Sequence, residues 1–222
     1  MVLAPGGDAG NVSLLETSAP PQTTSRESAL PRHVAGPRST GWWGMVMLIC
    51  TETMLFSALI ASYFYLRYQL GPEWPPDGIE PPTLELPLIM TVILWSSSIP
   101  VHFAERAIMK GNQRRLRLGL ALGFVLGATF LAMQLGLEYP ETLTEFTPTT
   151  NSYGSLFYTI TGFHGIHVLV GLMFSLWTQV RAWKGAFDAE RHVTVQNFTM
   201  YWHFVDVVWL FVLSTIYLFP NA

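Results

Sequence analysis

Five apolar runs separated by short polar breaks constrain this chain more than any other feature. They lie near residues 42–65, 86–107, 118–137, 156–177 and 198–219. Each is about 20 residues or longer, the length a helix needs to cross the hydrocarbon core of a bilayer. The breaks read GPEWPPDGIEPP, KGNQRR, EYPETLTEFTPTTN and KGAFDAERH, polar stretches with turn formers. Hydrocarbon offers no partner to a backbone N–H or C=O, so such runs become helices that satisfy their own hydrogen bonds. Only 12% of the residues are charged and 50% are hydrophobic, whereas a soluble domain carries about 25% charged residues. The expected fold is all-α: a polytopic membrane protein with a bundle of five transmembrane helices at residues 41–222. Residues 1–40 read as a low-complexity tail rich in Pro, Gly, Ser and Thr, without the apolar core of a signal peptide. Pro100 falls inside the second run and is expected to kink it.

Charge orients the bundle. Eleven of the 12 basic residues lie in the tail, the second-to-third break or the fourth-to-fifth break; only Arg67 lies near the other side. Arg26, Arg32, Arg38, Arg106, Lys110, Arg114, Arg115, Arg117, Arg181, Lys184 and Arg191 make up the majority side. The positive-inside rule puts the N-terminus in the cytoplasm, and an odd number of spans puts the C-terminus outside. The outer breaks are acidic, with Glu73, Asp77, Glu80, Glu85, Glu138, Glu141 and Glu145. Trp42, Trp43, Trp74 and Trp183 fall near span ends and read as interfacial anchors. The net charge of −3 argues against nucleic acid as a partner. The lone Cys50 excludes an intrachain disulfide and any site built from two cysteines.

Polar residues inside the apolar runs are the candidate functional groups, because hydrocarbon rejects them unless they serve packing or function. At 1.5 Å per residue, Glu52 lies about 15 Å from the inner end of span one and His167 about 17 Å from the outer end of span four. His164 is about one turn shallower. Glu52 is expected to be neutral or hydrogen-bonded to one of these histidines. His203 and Asp206 are three apart on span five and share a face, with His102 of span two at about the depth of His203. Histidines on neighbouring helices can ligate haem; they also serve as hydrogen-bonding links between helices. Intramembrane acids can mark proton relays, although Glu52 and Asp206 alone do not complete one. Gly119, Gly123 and Gly127, four apart on span three, form a ridge for close helix packing.

Several longer strings occur in a recognisable order: GMVMLICTETMLFSALIASYF around Glu52, WPPDGIEP at Trp74–Pro81, LEYPE at Leu137–Glu141, Tyr153-Gly154-Ser155, TGFHGIHVLVG at Thr161–Gly171 and YWHFVDVVWLF at Tyr201–Phe211. Together they make the chain, from Gly41 to Pro220, resemble subunit III of haem–copper terminal oxidases, the cytochrome c oxidase subunit III family with its quinol-oxidising relatives. Glu52 stands where the family carries a carbodiimide-reactive carboxylate. Three departures stand out. The mitochondrial form has two spans ahead of those matched, and this chain looks like the five-span bacterial form. Gln196 occupies a place the family usually gives to Glu. The family's paired histidines in the second matched helix are replaced around Phe103–Glu105, leaving His102 alone nearby.

The resemblance implies a non-redox accessory subunit in the bacterial cytoplasmic (inner) membrane. Haem and copper are then expected in partner subunits and none in this chain. It implies packing on oxidase subunit I, with subunit II and small subunits in the same complex and cytochrome c as donor to it. It also implies support of proton uptake, protection of the active site during turnover, bound phospholipid and a lipid-lined route for oxygen. The family's V-shaped lipid cleft cannot be built whole from five spans, so another subunit or lipid would supply the missing wall. Glu52, His164, His167, His203 and Asp206 become buried polar residues of structural or proton-related role, with no catalytic or metal-ligating residue. A quinol oxidase or a nitric-oxide-reductase-associated homologue would use a similar subunit. A stand-alone membrane cytochrome with bis-histidine haem is the alternative from another class. A small transporter lacks support, since no two-fold repeat of broken helices is visible.

Overall fold

The computed structural model describes residues 39–71, 74–76, 79 and 82–221. The expected tail lies outside these residues except for its last two positions. Ser39 has extended backbone, and its Oγ accepts from the Trp42 N–H at 3.3 Å, capping the first helix. That helix, α1, spans Thr40–Leu70 and ends at Gly71, whose φ of 88° a side chain would resist. α2 spans Glu85–Met109 and runs through Pro100. A tight connection with Gly111 at φ 73° leads to Asn112, whose side chain accepts from the Arg115 N–H and starts α3, Gln113–Met133.

The third expected span closes near residue 137, but the helix does not stop there. A π-helical turn at Gln134–Glu138 leads directly into α4, Tyr139–Glu145. Pro140 lacks an N–H and crowds the preceding turn of an ordinary helix. The wider π turn just before it fits that crowding, so the polar EYPETLTE string stays helical. Asn151 then caps α5, Ser152–Trp183. α6 covers Val193–Val212 and passes through a second π-helical turn, Leu213–Leu218, into a short 3₁₀ turn with Pro220. No strand occurs among the described residues, and five helical stretches are long and apolar enough to cross a membrane.

α2 and α3 pack along their length, α5 lies on α3, and α6 lies among α5, α1 and α2. The seam between α2 and α3 is set by glycine. A Cβ on Gly119 would stand 2.5 Å from the Pro100 carbonyl oxygen and 2.7 Å from Ala104 Cβ; one on Gly123 would stand 2.5 Å from Val101. Only hydrogen lets the backbones approach this closely. Gly127 and Gly171 lie against the Trp202 ring, where added Cβ atoms would stand 2.6 and 2.7 Å away. Trp202 and Trp209 anchor α6 to α2, their indole N–H groups donating to Ser97 Oγ at 2.9 Å and Thr91 Oγ1 at 2.8 Å. Both hydroxyls and both indoles are buried, so each bond satisfies groups that hydrocarbon would leave unmet.

Two ends follow. At the basic end, Gln113 donates to the Phe187 carbonyl, and Arg117 Nε donates to the Ala182 carbonyl at 3.2 Å. At the acidic end, Arg67 reaches the Phe219 carbonyl at 3.4 Å. Trp74 is buried there and donates to Tyr63 Oη at 2.9 Å. It therefore clamps the α1–α2 connection to α1 rather than serving as the expected interfacial anchor.

Candidate functional site

Glu52 of α1 and His167 of α5 meet where the two helices lie together. His167 Nε2 lies 3.0 Å from Glu52 Oε2, and His167 Nδ1 lies 2.7 Å from the Phe163 carbonyl oxygen. A carbonyl only accepts, so Nδ1 carries a proton. Nε2 then has two states. It accepts from a protonated Glu52, or it carries a proton and faces a carboxylate. Either way the hydrogen bond between α1 and α5 is made. Phe56 packs edge-on to the imidazole with centroids 5.0 Å apart, and Tyr201 Oη donates to the His167 carbonyl at 3.1 Å. Glu52 keeps 28% of its side chain exposed. Of the two span-four histidines, His167 is the one that meets Glu52.

His164, one turn earlier on α5, points the other way. It is fully buried between Phe130 and Trp209, with centroids 5.7 and 4.9 Å away, and neither ring nitrogen has a hydrogen-bond partner. The HxxH spacing therefore yields two separate environments, not one site. A second polar group forms on α2 and α6. Ser98 donates to Asp206 Oδ2, His203 Nδ1 lies 3.8 Å from the same oxygen, and the His102 and His203 rings are 6.2 Å apart. His203 keeps 44% of its side chain exposed. Among the described residues, no three His, Cys, Asp or Glu side chains form a group that could hold a metal ion.

The sequence reading placed Glu138 in an outer acidic loop. Instead it lies in the π turn, 4% exposed, accepting from Tyr217 in the other π turn. The signal was present: Gln134 lies seven residues after Gly127 and Glu138 four after that, which puts both on the face of Gly119, Gly123 and Gly127, and all five are buried. Ser98, Tyr201 and Tyr217 also went unremarked, since a hydroxyl or a ring gives no pattern until its partner helix is known. In the α5–α6 connection, the Arg191 guanidinium and backbone N–H bind the Asp188 carboxylate, at 2.9 Å for Nε, and hold its pKa below the ordinary aspartate value.

Comparison with known proteins agrees with this architecture. The family model for cytochrome c oxidase subunit III matches residues 22–221. Cytochrome c oxidase subunit 3 of Lycodon semicarinatus is 37% identical over 190 residues, covering 83% of this chain and 72% of the relative. The Petromyzon marinus protein of the same name is 36% identical over 198 residues, covering 86% and 75%. That of Locusta migratoria is 37% identical over 180 residues, covering 79% and 67%. With a helical membrane bundle matched along most of its length, this chain belongs to the cytochrome c oxidase subunit III family.

Proposed function

We propose that this chain is the accessory, non-redox subunit III of a proton-pumping haem–copper oxidase in a bacterial cytoplasmic membrane. Its basic end faces the cytoplasm and its acidic end faces outward, as the distribution of Lys and Arg favours. It packs on subunit I, with subunit II in the same complex and cytochrome c as the electron donor to it. Haem and copper belong to the partners, and phospholipid fills the open side of α1. The observation that carries the reading is the Glu52–His167 pair. Its hydrogen bond joins α1 to α5 within their apolar stretches, and Glu52 stays partly exposed. Such a pair links helices and can pass a proton between two atoms without placing net charge in hydrocarbon. It suits a subunit that steadies proton uptake and active-site integrity in its neighbour.

The test is purification from the native membrane in mild detergent, with subunit identification and an optical spectrum. The expected result is a larger haem-bearing partner with oxygen-reducing activity, and this chain free of haem after separation. Glu52→Gln should then shorten the turnover lifetime or lower the pumping stoichiometry of the assembled enzyme. A chain that purifies alone with its own haem band would overturn the reading and make the histidines ligands.

A further inference from the structure

A cavity of about 500 Å³ opens on the exposed flank of the α2–α3 hairpin, toward its basic turn. That is an ordinary size for a ligand pocket, about 300–1,000 Å³. The glycine seam creates it. Pro100, Ala107 and Gly119 put only small groups where the two helices touch, whereas Phe103, Leu118 and Leu122 stand around them, each more than half exposed. The result is an apolar notch between two membrane helices.

At the turn the lining changes character. Arg106 from the last turn of α2, Lys110 at its C-terminal cap and Arg115 from the first turn of α3 all line the cavity. They are exposed, and their side chains have no hydrogen-bond, ion-pair or ring partner among the described residues. Neighbouring cations at the same end are used within the chain. Arg117 donates to the Ala182 carbonyl and lies 4.9 Å over the Trp183 ring, Arg181 lies over the Trp177 and Phe187 rings, and Arg191 pairs with Asp188. Among the described residues, no carboxylate lines the cavity to offset its three charges.

This order of environments selects a ligand class. Arg106 and Arg115 sit at the ends of the apolar stretches Glu85–Met109 and Gln113–Glu145, the level of lipid headgroups. Guanidinium forks match phosphate oxygens two at a time, and an ammonium adds a compact charge. Basic pockets between transmembrane helices on the cytoplasmic side are where anionic headgroups bind. An acidic peptide in water would have no use for the apolar half of the cavity, which continues into the membrane layer; an acyl chain would. We propose that this cavity binds one anionic glycerophospholipid, its phosphate held by Arg106, Lys110 and Arg115 and an acyl chain lying in the notch over Gly119. The site is separate from the open side of α1. It follows from the membrane bundle itself, whichever complex the bundle joins.

The test uses the complex as purified from its native membrane, reconstituted in phosphatidylcholine vesicles. These carry a small share of phosphatidylglycerol with a photoreactive group in one acyl chain, and adducts are mapped by peptide mass spectrometry. The expected result is labelling between positions 103 and 122 several-fold above that from the matching phosphatidylcholine probe. Arg106→Gln/Lys110→Gln/Arg115→Gln should abolish that excess. Arg114→Gln/Lys184→Gln/Arg191→Gln removes the same charge from the same end, outside the cavity, and should keep it. All six side chains are exposed; Arg115→Gln alone, which should halve the excess or more, serves if the triple variant fails to assemble. Equal labelling by the two probes, or an equal loss in both triple variants, overturns the proposal. So does displacement of the probe by glycerol phosphate as effective as that by unlabelled phosphatidylglycerol, which would make the cavity a site for free phosphate groups.

Discussion

The α2–α3 seam and the seat of α1 solve the same problem in opposite ways. At the seam, Gly119 and Gly123 bring two backbones together so closely that no side chain separates them. α1 buries only Phe56 and Tyr63. It is held instead at points: Glu52 to His167, Tyr63 to Trp74, Arg67 to the Phe219 carbonyl and the Gly41 carbonyl to Asn197. Continuous contact between small residues makes a rigid frame, whereas a few polar links on a bare helix leave it free to be covered by something else. The chain thus combines a fixed hairpin with a helix held at a few points.

The largest expected effect is at the seam. Gly119→Leu forces a side chain into the backbone of α2, where even a Cβ would stand 2.5 Å from the Pro100 oxygen. Overpacking of this kind should cost about 3 kcal/mol or more. Loss of folded bundle under graded denaturant in detergent would measure it. If Gly119→Leu folded like the parent, the seam would not be the rigid partner in this comparison.

At the α1 seat the expected effect is smaller and depends on chemistry rather than volume. Glu52→Leu leaves His167 Nε2 without its partner and should cost about 1–2 kcal/mol, the range found for polar links between membrane helices. Glu52→Gln keeps a group that can donate to Nε2, and should lose less than about 1 kcal/mol. The same unfolding assay separates the two. An equal loss in both variants would mean that packing, not the hydrogen bond, holds α1. Smaller again, and of opposite sign, is Gly44→Ala on α1, where nothing lies within 4 Å of an added Cβ. Relief of backbone entropy should stabilise the helix by about 0.5–1 kcal/mol.

The frame was easier to read from the sequence than the seat. Hydropathy marked the five helices because the bilayer fixes their length, and the glycine ridge marked the seam because small residues every four positions have few other uses. Depth counting also brought Glu52 to the level of the span-four histidines. It could not say which of the two would meet it, since the choice depends on how α5 is rotated. That rotation is set by packing of Phe130, Trp202 and Trp209, which no local pattern reveals. Glu138 was misjudged for the converse reason. Its neighbours Glu141 and Glu145 and the nearby Pro140 look like a loop, and only the helix continuing through the π turn carries Glu138 into the core.

The smallest expected effect comes from the Asp188–Arg191 pair, which compares a link in water with the links inside the bundle. Both residues lie in the α5–α6 connection, and the pair closes at 2.7 Å between Arg191 Nη2 and Asp188 Oδ2. The guanidinium and backbone N–H groups lower the Asp188 pKa in the folded state. The lowered value means that the stabilisation is present above the ordinary aspartate pKa and fades as pH falls through the lower, folded one. Solvent screens such a pair, so little is expected from it at neutral pH. Arg191→Ala should leave the unfolding midpoint in detergent unchanged within error at pH 7, and any difference from the parent should vanish in strong acid. A loss as large as that of Glu52→Leu would show that this connection braces the bundle, and that burial in the membrane is not what distinguishes the strong links from the weak ones.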